Sequence, residues 1–267
     1  MAERRRVRLG AVSYLNTRPL VEGLDRHPDV LLRFDVPSRC ADLLEGGLVD
    51  LGLIPVFEFA RQGSYLAVPG VAIASRDMVD SVAIFTRKPM DRVRSIALDV
   101  SSRTSANLVR VLCRRLWGIE PAFEDAAPDP GAMLARCDAA LLIGDPALFT
   151  EAADHDATKI DLGRAWRELT GLPFVWAVWA GRADAAPPAV CRLLQEARDR
   201  GVPAIDEIAR RERPGDPAAA ARIARYLRES IAYDLDGAFV EGLQRFFTFL
   251  AEDGLVPARA SLRLYDT

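Results

Sequence analysis

Histidine is almost missing from this chain: two in 267 residues, His27 and His155, each alone among Asp and Pro in turn-like surroundings. Surface imidazoles are the expectation for both, and no Ser-His-Asp set or Cys-His pair appears. Cysteine is scarce as well. Cys40, Cys113, Cys137 and Cys191 lie far apart with none of the paired spacings that hold zinc, so free, mostly buried thiols and no metal site are expected. No glycine-rich phosphate loop is present. No apolar run approaches the roughly 20 residues of a membrane span, and the basic start Met1 to Arg6 leads into an apolar run too short for a secretion signal. The expectation is a soluble, cytoplasmic protein that meets no membrane. Neither sign of charge dominates, with 35 Lys and Arg against 38 Asp and Glu and a net charge of −3. The arginines are scattered, which leaves no electrostatic footprint for nucleic acid.

What the chain has is apolar sequence, 50% of its residues, enough to bury the core of one long domain or two lobes. Residues 7–12 read as a strand, and Ser13-Tyr14-Leu15-Asn16-Thr17-Arg18-Pro19-Leu20 as the loop from that strand into a helix, with Pro19 suited to the first helical turn. Residues 30–36 and 49–54 read as further strands. With helices over 38–44 and 56–60 this is a βαβαβ order, which implies a parallel sheet. Two β-rich runs follow at 66–74 and 81–86, the second leaving the first lobe. A second lobe opens with a strand at 95–99, the polar loop Ser101-Ser102-Arg103-Thr104-Ser105, and a helix over 106–117 whose Leu108, Val111, Leu112 and Leu116 recur at helical spacing. Residues 120–131 read as loop, 139–143 as a buried strand ending in Gly144-Asp145-Pro146, 161–168 as helix and 174–180 as the strand returning to the first lobe. Helices over 190–200, 204–211, 217–231 and 237–251 complete the chain. The expected lobes are residues 1–86 plus 181–267, and 87–180, with a ligand cleft between them.

Open α/β sheets bind ligands at the carboxyl ends of their strands. Ser13, Asn16 and Thr17 stand at one such end, and Ser101, Ser102, Thr104 and Ser105 at another. Hydroxyls, an amide and free N–H groups at helix starts suit a carboxylate in each lobe. Thr17 as a plain helix cap is the competing reading. Arg103 fits an anion bidentately or stands as a solvated surface group. Asp145 and Glu58 follow strand ends, where capping competes with acid–base work.

Residues 12–20, Asp99-Val100-Ser101-Ser102-Arg103-Thr104-Ser105, Leu142-Ile143-Gly144-Asp145-Pro146-Ala147, Asp161-Leu162-Gly163 to Trp166 and Thr170-Gly171-Leu172-Pro173-Phe174-Val175 resemble the chorismate dehydratases that open the futalosine route to menaquinone. The resemblance spans nearly the whole chain. It implies a two-lobed α/β fold of the type II periplasmic-binding-protein kind, each lobe a mixed, mostly parallel sheet flanked by helices. It also implies chorismate as the small-molecule partner, no cofactor, and conversion to 3-[(1-carboxyvinyl)oxy]benzoate plus water. On that reading Asn16 orients the substrate's enolpyruvyl carboxylate as the base, and Asp145 protonates the leaving hydroxyl. Ser13, Ser81, Thr17 and the Ser101 to Ser105 loop contact the carboxylates and hydroxyl. The alternatives are a non-catalytic cytoplasmic solute-binding or sensor protein for a small carboxylate, and the related dihydroxynaphthoate-forming enzyme. The latter relies on a histidine, and both histidines lie outside the expected cleft loops.

Overall fold

The computed structural model describes residues 6–266; Met1 to Arg5, read above for a secretion signal, and Thr267 lie outside the described residues. In chain order the strands are β1 (Val7–Val12), β2 (Val30–Asp35), β3 (Leu51–Pro55), β4 (Leu66–Ser75), β5 (Val82–Thr86), β6 (Ser95–Asp99), β7 (Ala122–Ala126), β8 (Ala139–Ile143), β9 (Thr158–Asp161) and β10 (Phe174–Gly181). They form two five-stranded sheets, ordered β2-β1-β3-β10-β4 and β7-β6-β8-β5-β9. β1 is parallel to β2 and β3, and β6 to β7 and β8, as alternation of strand and helix dictates. The two strands that carry the chain between sheets are antiparallel to their neighbours: β5 sits between β8 and β9, and β10 between β3 and β4. Both are buried along their whole length and therefore read as continuous apolar runs.

Sheet membership divides the chain at other points than the expected lobe limits. β5 completes the second sheet and β10 the first, so the crossings precede Val82 and Phe174 instead of falling at 86/87 and 180/181. A strand belongs to the ladder that satisfies its backbone groups, and an apolar run does not say which ladder that is.

The helices are α1 (Pro37–Glu45), α2 (Val56–Gln62), α3 (Thr104–Arg115), α4 (Pro130–Arg136), α5 (Gly144–Phe149), α6 (Leu162–Thr170), α7 (Pro188–Gly201), α8 (Ile205–Glu212), α9 (Pro217–Glu229) and α10 (Gly237–Glu252). Proline opens α1, α4, α7 and α9, where its missing N–H costs nothing. The stripe Phe239, Leu243, Phe246, Phe247 and Leu250 of α10 is fully buried. Phe246 and Phe249 meet Trp166 of α6 edge to face, and Trp166 meets Phe174 of β10 the same way. Each such pair adds about 0.5–1.5 kcal/mol beyond area burial. The Trp166 indole N–H donates to the Pro173 carbonyl at 3.1 Å, so the cluster fixes the chain where it re-enters the first sheet.

Three local expectations change. Residues 15–21 form a 3₁₀ helix with Pro19 inside it, so Thr17 is an interior residue and not a cap. The residue before a proline resists the α conformation, and the tighter turn closes with the Thr17 N–H on the Tyr14 carbonyl at 3.1 Å. α3 starts at Thr104, which puts Thr104 and Ser105 in its first turn instead of the loop before it. β7 and β9 occupy stretches read as loop or left unassigned; both are sheet-edge strands, β7 mostly exposed and β9 largely half-buried, with no apolar alternation to reveal them. All four cysteines are free and buried. Among the described residues, no helix is long and apolar enough to cross a membrane.

Candidate active site

The carboxyl ends of β1, β3 and β8 converge between the two sheets on a cavity of about 60 Å³, walled by Val12, Pro55 and Ile143. The 3₁₀ segment after β1 contributes Tyr14 and Asn16. The start of α3 contributes Ser102, Arg103, Thr104 and Ser105, and β10 closes the space with Trp176. Polar groups from both lobes thus face one volume, as the strand-end rule anticipates.

Asn16 is the least satisfied of them. Its Oδ1 is buried without a hydrogen-bond partner, a deficit of about 1–3 kcal/mol that a ligand's hydrogen bond removes. Burial pushes the neighbouring Tyr226 phenol up in pKa, opposed by hydrogen bonds with Ser81 and Asn16. The Tyr226 hydroxyl donates to Ser81 Oγ at 2.7 Å. Ser81 itself is buried, off the cavity wall, and its carbonyl accepts the Gly144 N–H at 2.7 Å.

The second loop divides its labour. Thr104 Oγ1 accepts the Phe57 N–H at 3.2 Å and reaches the Trp176 carbonyl at 3.4 Å, bridging α3 to the first lobe. Arg103 lines the cavity, yet its Nη2 meets Asp42 Oδ1 at 2.6 Å and its Nη1 meets Glu58 Oε1 at 3.3 Å. Glu58 is buried and also pairs with Arg61 at 2.7 Å. Arg103 is neither a free anion ligand nor a solvated group here: its charge ties the second lobe to α1 and α2. Ser101 stands off the wall, with its hydroxyl 2.6 Å from Asp99 Oδ1 and 3.2 Å from the Tyr14 hydroxyl.

Asp145 is not on the cavity wall; its Oδ1 accepts the Leu15 N–H at 3.0 Å and so anchors the segment carrying Asn16. Burial raises its pKa, opposed by that N–H and by Arg18 and Arg213. Ser13 and Thr17 are not on the wall either. The Ser13 N–H is bound to the Asp35 carbonyl at 2.9 Å, and the Thr17 hydroxyl is wholly buried without a partner. Ser13 lies just past the end of β1, and the 3₁₀ turn keeps Thr17 in the core.

Tyr14 on the wall and Asp99 behind it are further polar groups of the site, with no role expected from the residues alone. Their signal was a single aromatic in a polar strand-end loop and an acid closing an apolar strand. The Tyr14 ring lies against Gly144, whose φ is +63° and where an added Cβ would stand 2.4 Å from Tyr14 Cδ2. Burial, together with the charges of Asp99 and Asp145 and against the Ser101 hydrogen bond, pushes the Tyr14 phenol to about 12. Neither histidine is on the wall.

Residues 7–252 match the protein family described as menaquinone biosynthesis. A chorismate dehydratase of Thermus thermophilus is 32% identical to this chain over 225 residues, covering 73% of the chain and 82% of the relative. Among solved structures, a protein of Archaeoglobus fulgidus aligns with TM-score 0.71 at 15% identity, over 94% of this chain and 98% of its own. The periplasmic aliphatic sulphonate-binding protein SsuA of Escherichia coli aligns at 0.62 and 18% identity, over 98% of each chain. At these identities the likeness shows the fold alone, a periplasmic-binding-protein-like pair of sheets flanked by helices.

Proposed function

This chain belongs to the menaquinone biosynthesis family, and from that premise we propose that it is a cytoplasmic chorismate dehydratase of the futalosine route, releasing 3-[(1-carboxyvinyl)oxy]benzoate and water. The observation that carries the reading is Asn16: an unsatisfied buried amide oxygen in a cavity between two lobes, facing the start of α3. The relative named a chorismate dehydratase supports it.

Chorismate needs only to lose its C3 proton and C4 hydroxyl to become aromatic, so the driving force lies in the substrate and the protein's task is orientation and charge placement. The C3 proton is acidic through the conjugated ring carboxylate, provided donors stabilise the charge that grows there. The first turn of α3 suits that carboxylate. Its first-turn N–H groups and dipole favour an anion by about 0.3–1 kcal/mol, up to about 2 when partly buried, and hydroxyls of Ser102 and Ser105 add about 1 kcal/mol each. Thr104 is engaged in bridging the lobes, and Arg103 in the Asp42 and Glu58 pairs.

The substrate's enolpyruvyl carboxylate takes the C3 proton while the Asn16 amide N–H donates to it and holds it in reach, which leaves the unpartnered Asn16 Oδ1 to accept from a substrate hydroxyl. Ser81 acts through Tyr226, which borders Asn16. Asp145 acts by fixing Leu15, and Ser13 and Thr17 act only through the shape of the segment. The C4–O bond then breaks with its electron pair on oxygen, and a proton completes the water. Incubating the purified chain with chorismate, and following aromatic absorbance and product mass, tests the reading. Loss of 18 mass units with a new aromatic band supports it. Binding without turnover favours a solute-binding or sensor protein instead.

A further inference from the structure

The elimination just proposed needs a proton for the departing oxygen, and the cavity wall offers one arrangement built to supply it; the inference rests on the dehydratase reading. Asp99 closes β6 and is 1% exposed. Its Oδ1 accepts the Ser101 N–H at 2.9 Å and shares a 2.6 Å hydrogen bond with the Ser101 hydroxyl. That hydroxyl lies 3.2 Å from the hydroxyl of Tyr14, and Tyr14 lines the cavity. The three groups form one hydroxyl chain from the core to the site.

Such a chain has two settings, decided by the acid at its buried end. With Asp99 ionised, Ser101 donates to it, Tyr14 donates to Ser101, and no proton faces the cavity. With Asp99 neutral, its O–H donates to Ser101, Ser101 donates to Tyr14, and the Tyr14 proton is free for a ligand. Asp99 is buried with no ion pair to Lys, Arg or His among the described residues, and a carboxyl so placed favours its neutral form. Burial raises its pKa, opposed by the Ser101 hydroxyl and N–H and by the Ile143 backbone. The other titratable groups facing the chain are Tyr14 itself and Asp145 of α5, whose charge bears on Tyr14.

We infer that Tyr14 donates the proton to the departing C4 oxygen, and that Ser101 and Asp99 are positioning residues that aim its hydroxyl. As the C4–O bond breaks, oxygen leaves with the electron pair and takes the Tyr14 proton to become water. The Ser101 proton passes to Tyr14, and that of Asp99 to Ser101. The proton taken from C3 by the enolpyruvyl carboxylate returns through solvent and restores Asp99, so no co-reactant is consumed. Asp145, bound to Leu15 off the wall, is left its anchoring task.

Three proteins are compared on chorismate across pH: wild type, Tyr14→Phe and Asp99→Asn. Tyr14→Phe keeps the ring against Gly144 and removes only the hydroxyl, so kcat falls about 10²–10⁴-fold, the usual worth of a general acid, while KM stays within a few-fold. Wild-type kcat falls as pH rises through the Asp99 ionisation. Asn at 99 accepts from Ser101 and fixes the chain in its reversed setting, so that limb vanishes and the rate is low throughout. The double variant loses no more than either single one, since both remove the same proton. A Tyr14→Phe protein with wild-type kcat, or an Asp99→Asn protein with the wild-type pH profile, overturns the inference and leaves the dehydratase reading standing. A wild-type protein that does not convert chorismate removes that reading, and this inference with it.

Discussion

Gly144 is where backbone conformation and site geometry meet, and Gly144→Ala measures both. The residue sits at φ +63°, where an L side chain costs about 1–2 kcal/mol. The new Cβ would also stand 2.4 to 2.6 Å from three atoms of the Tyr14 ring, closer than any real contact. Forcing a methyl group into packed surroundings costs about 1–3 kcal/mol more. The expected loss is therefore about 2–5 kcal/mol, read from urea unfolding, or roughly 4–20 °C in Tm at about 2–4 °C per kcal/mol. The two contributions separate in a cycle with Tyr14→Ala. Without the ring, Gly144→Ala keeps only its backbone cost of about 1–2 kcal/mol. Equal costs in both backgrounds would refute the ring contact, and an unchanged Gly144→Ala protein would refute the whole argument.

Asp161 caps α6 and accepts the N–H groups of Val79, Asp80 and Arg164, so Asp161→Ala should lose about 0.5–2 kcal/mol for the cap and more for the two crossing amides; a midpoint equal to wild type in denaturant would contradict this. Glu58→Gln removes the charge shared by Arg61 and Arg103, with an expected cost of about 1–3 kcal/mol by the same unfolding assay. Asp99 binds a proton in the folded chain at pH values where the unfolded chain, near the ordinary 3.8, has released it. Its contribution to stability is therefore full below that value and is lost as pH rises through the raised one. Subtracting the Asp99→Asn stability curve from the wild-type curve should show that downward slope, and a flat difference would mean that folding leaves the Asp99 ionisation unshifted.

Much of this was legible in the residues. β1 and β8 announce themselves as apolar runs ending in polar turns, β3 as an apolar run stopped by Pro55, and the α10 stripe as a core face. The start of α3 and Asn16 line one cavity because strand ends in such sheets share one rim. Which sheet owns β5 and β10 was not legible, since both are buried on every side and carry no directional pattern. β7 and β9 escaped as sheet edges without apolar alternation, β7 with no buried residue and β9 with one. Within the site, the pairing of Arg103 with Asp42 and Glu58 depends on residues 61 and 45 positions away in sequence, and the Asp99, Ser101 and Tyr14 chain on a contact spanning 87 positions. Local spacing names the residue types but not such partners.

The central claim is that the cavity holding Asn16 is where chorismate loses water. Its most direct test is the initial rate of aromatic product formation by Asn16→Leu beside wild type, with folding checked by unfolding midpoint. Turnover should fall by about two orders of magnitude or more with the fold intact, in line with removal of a positioning group. Near wild-type turnover from a folded Asn16→Leu protein would contradict it.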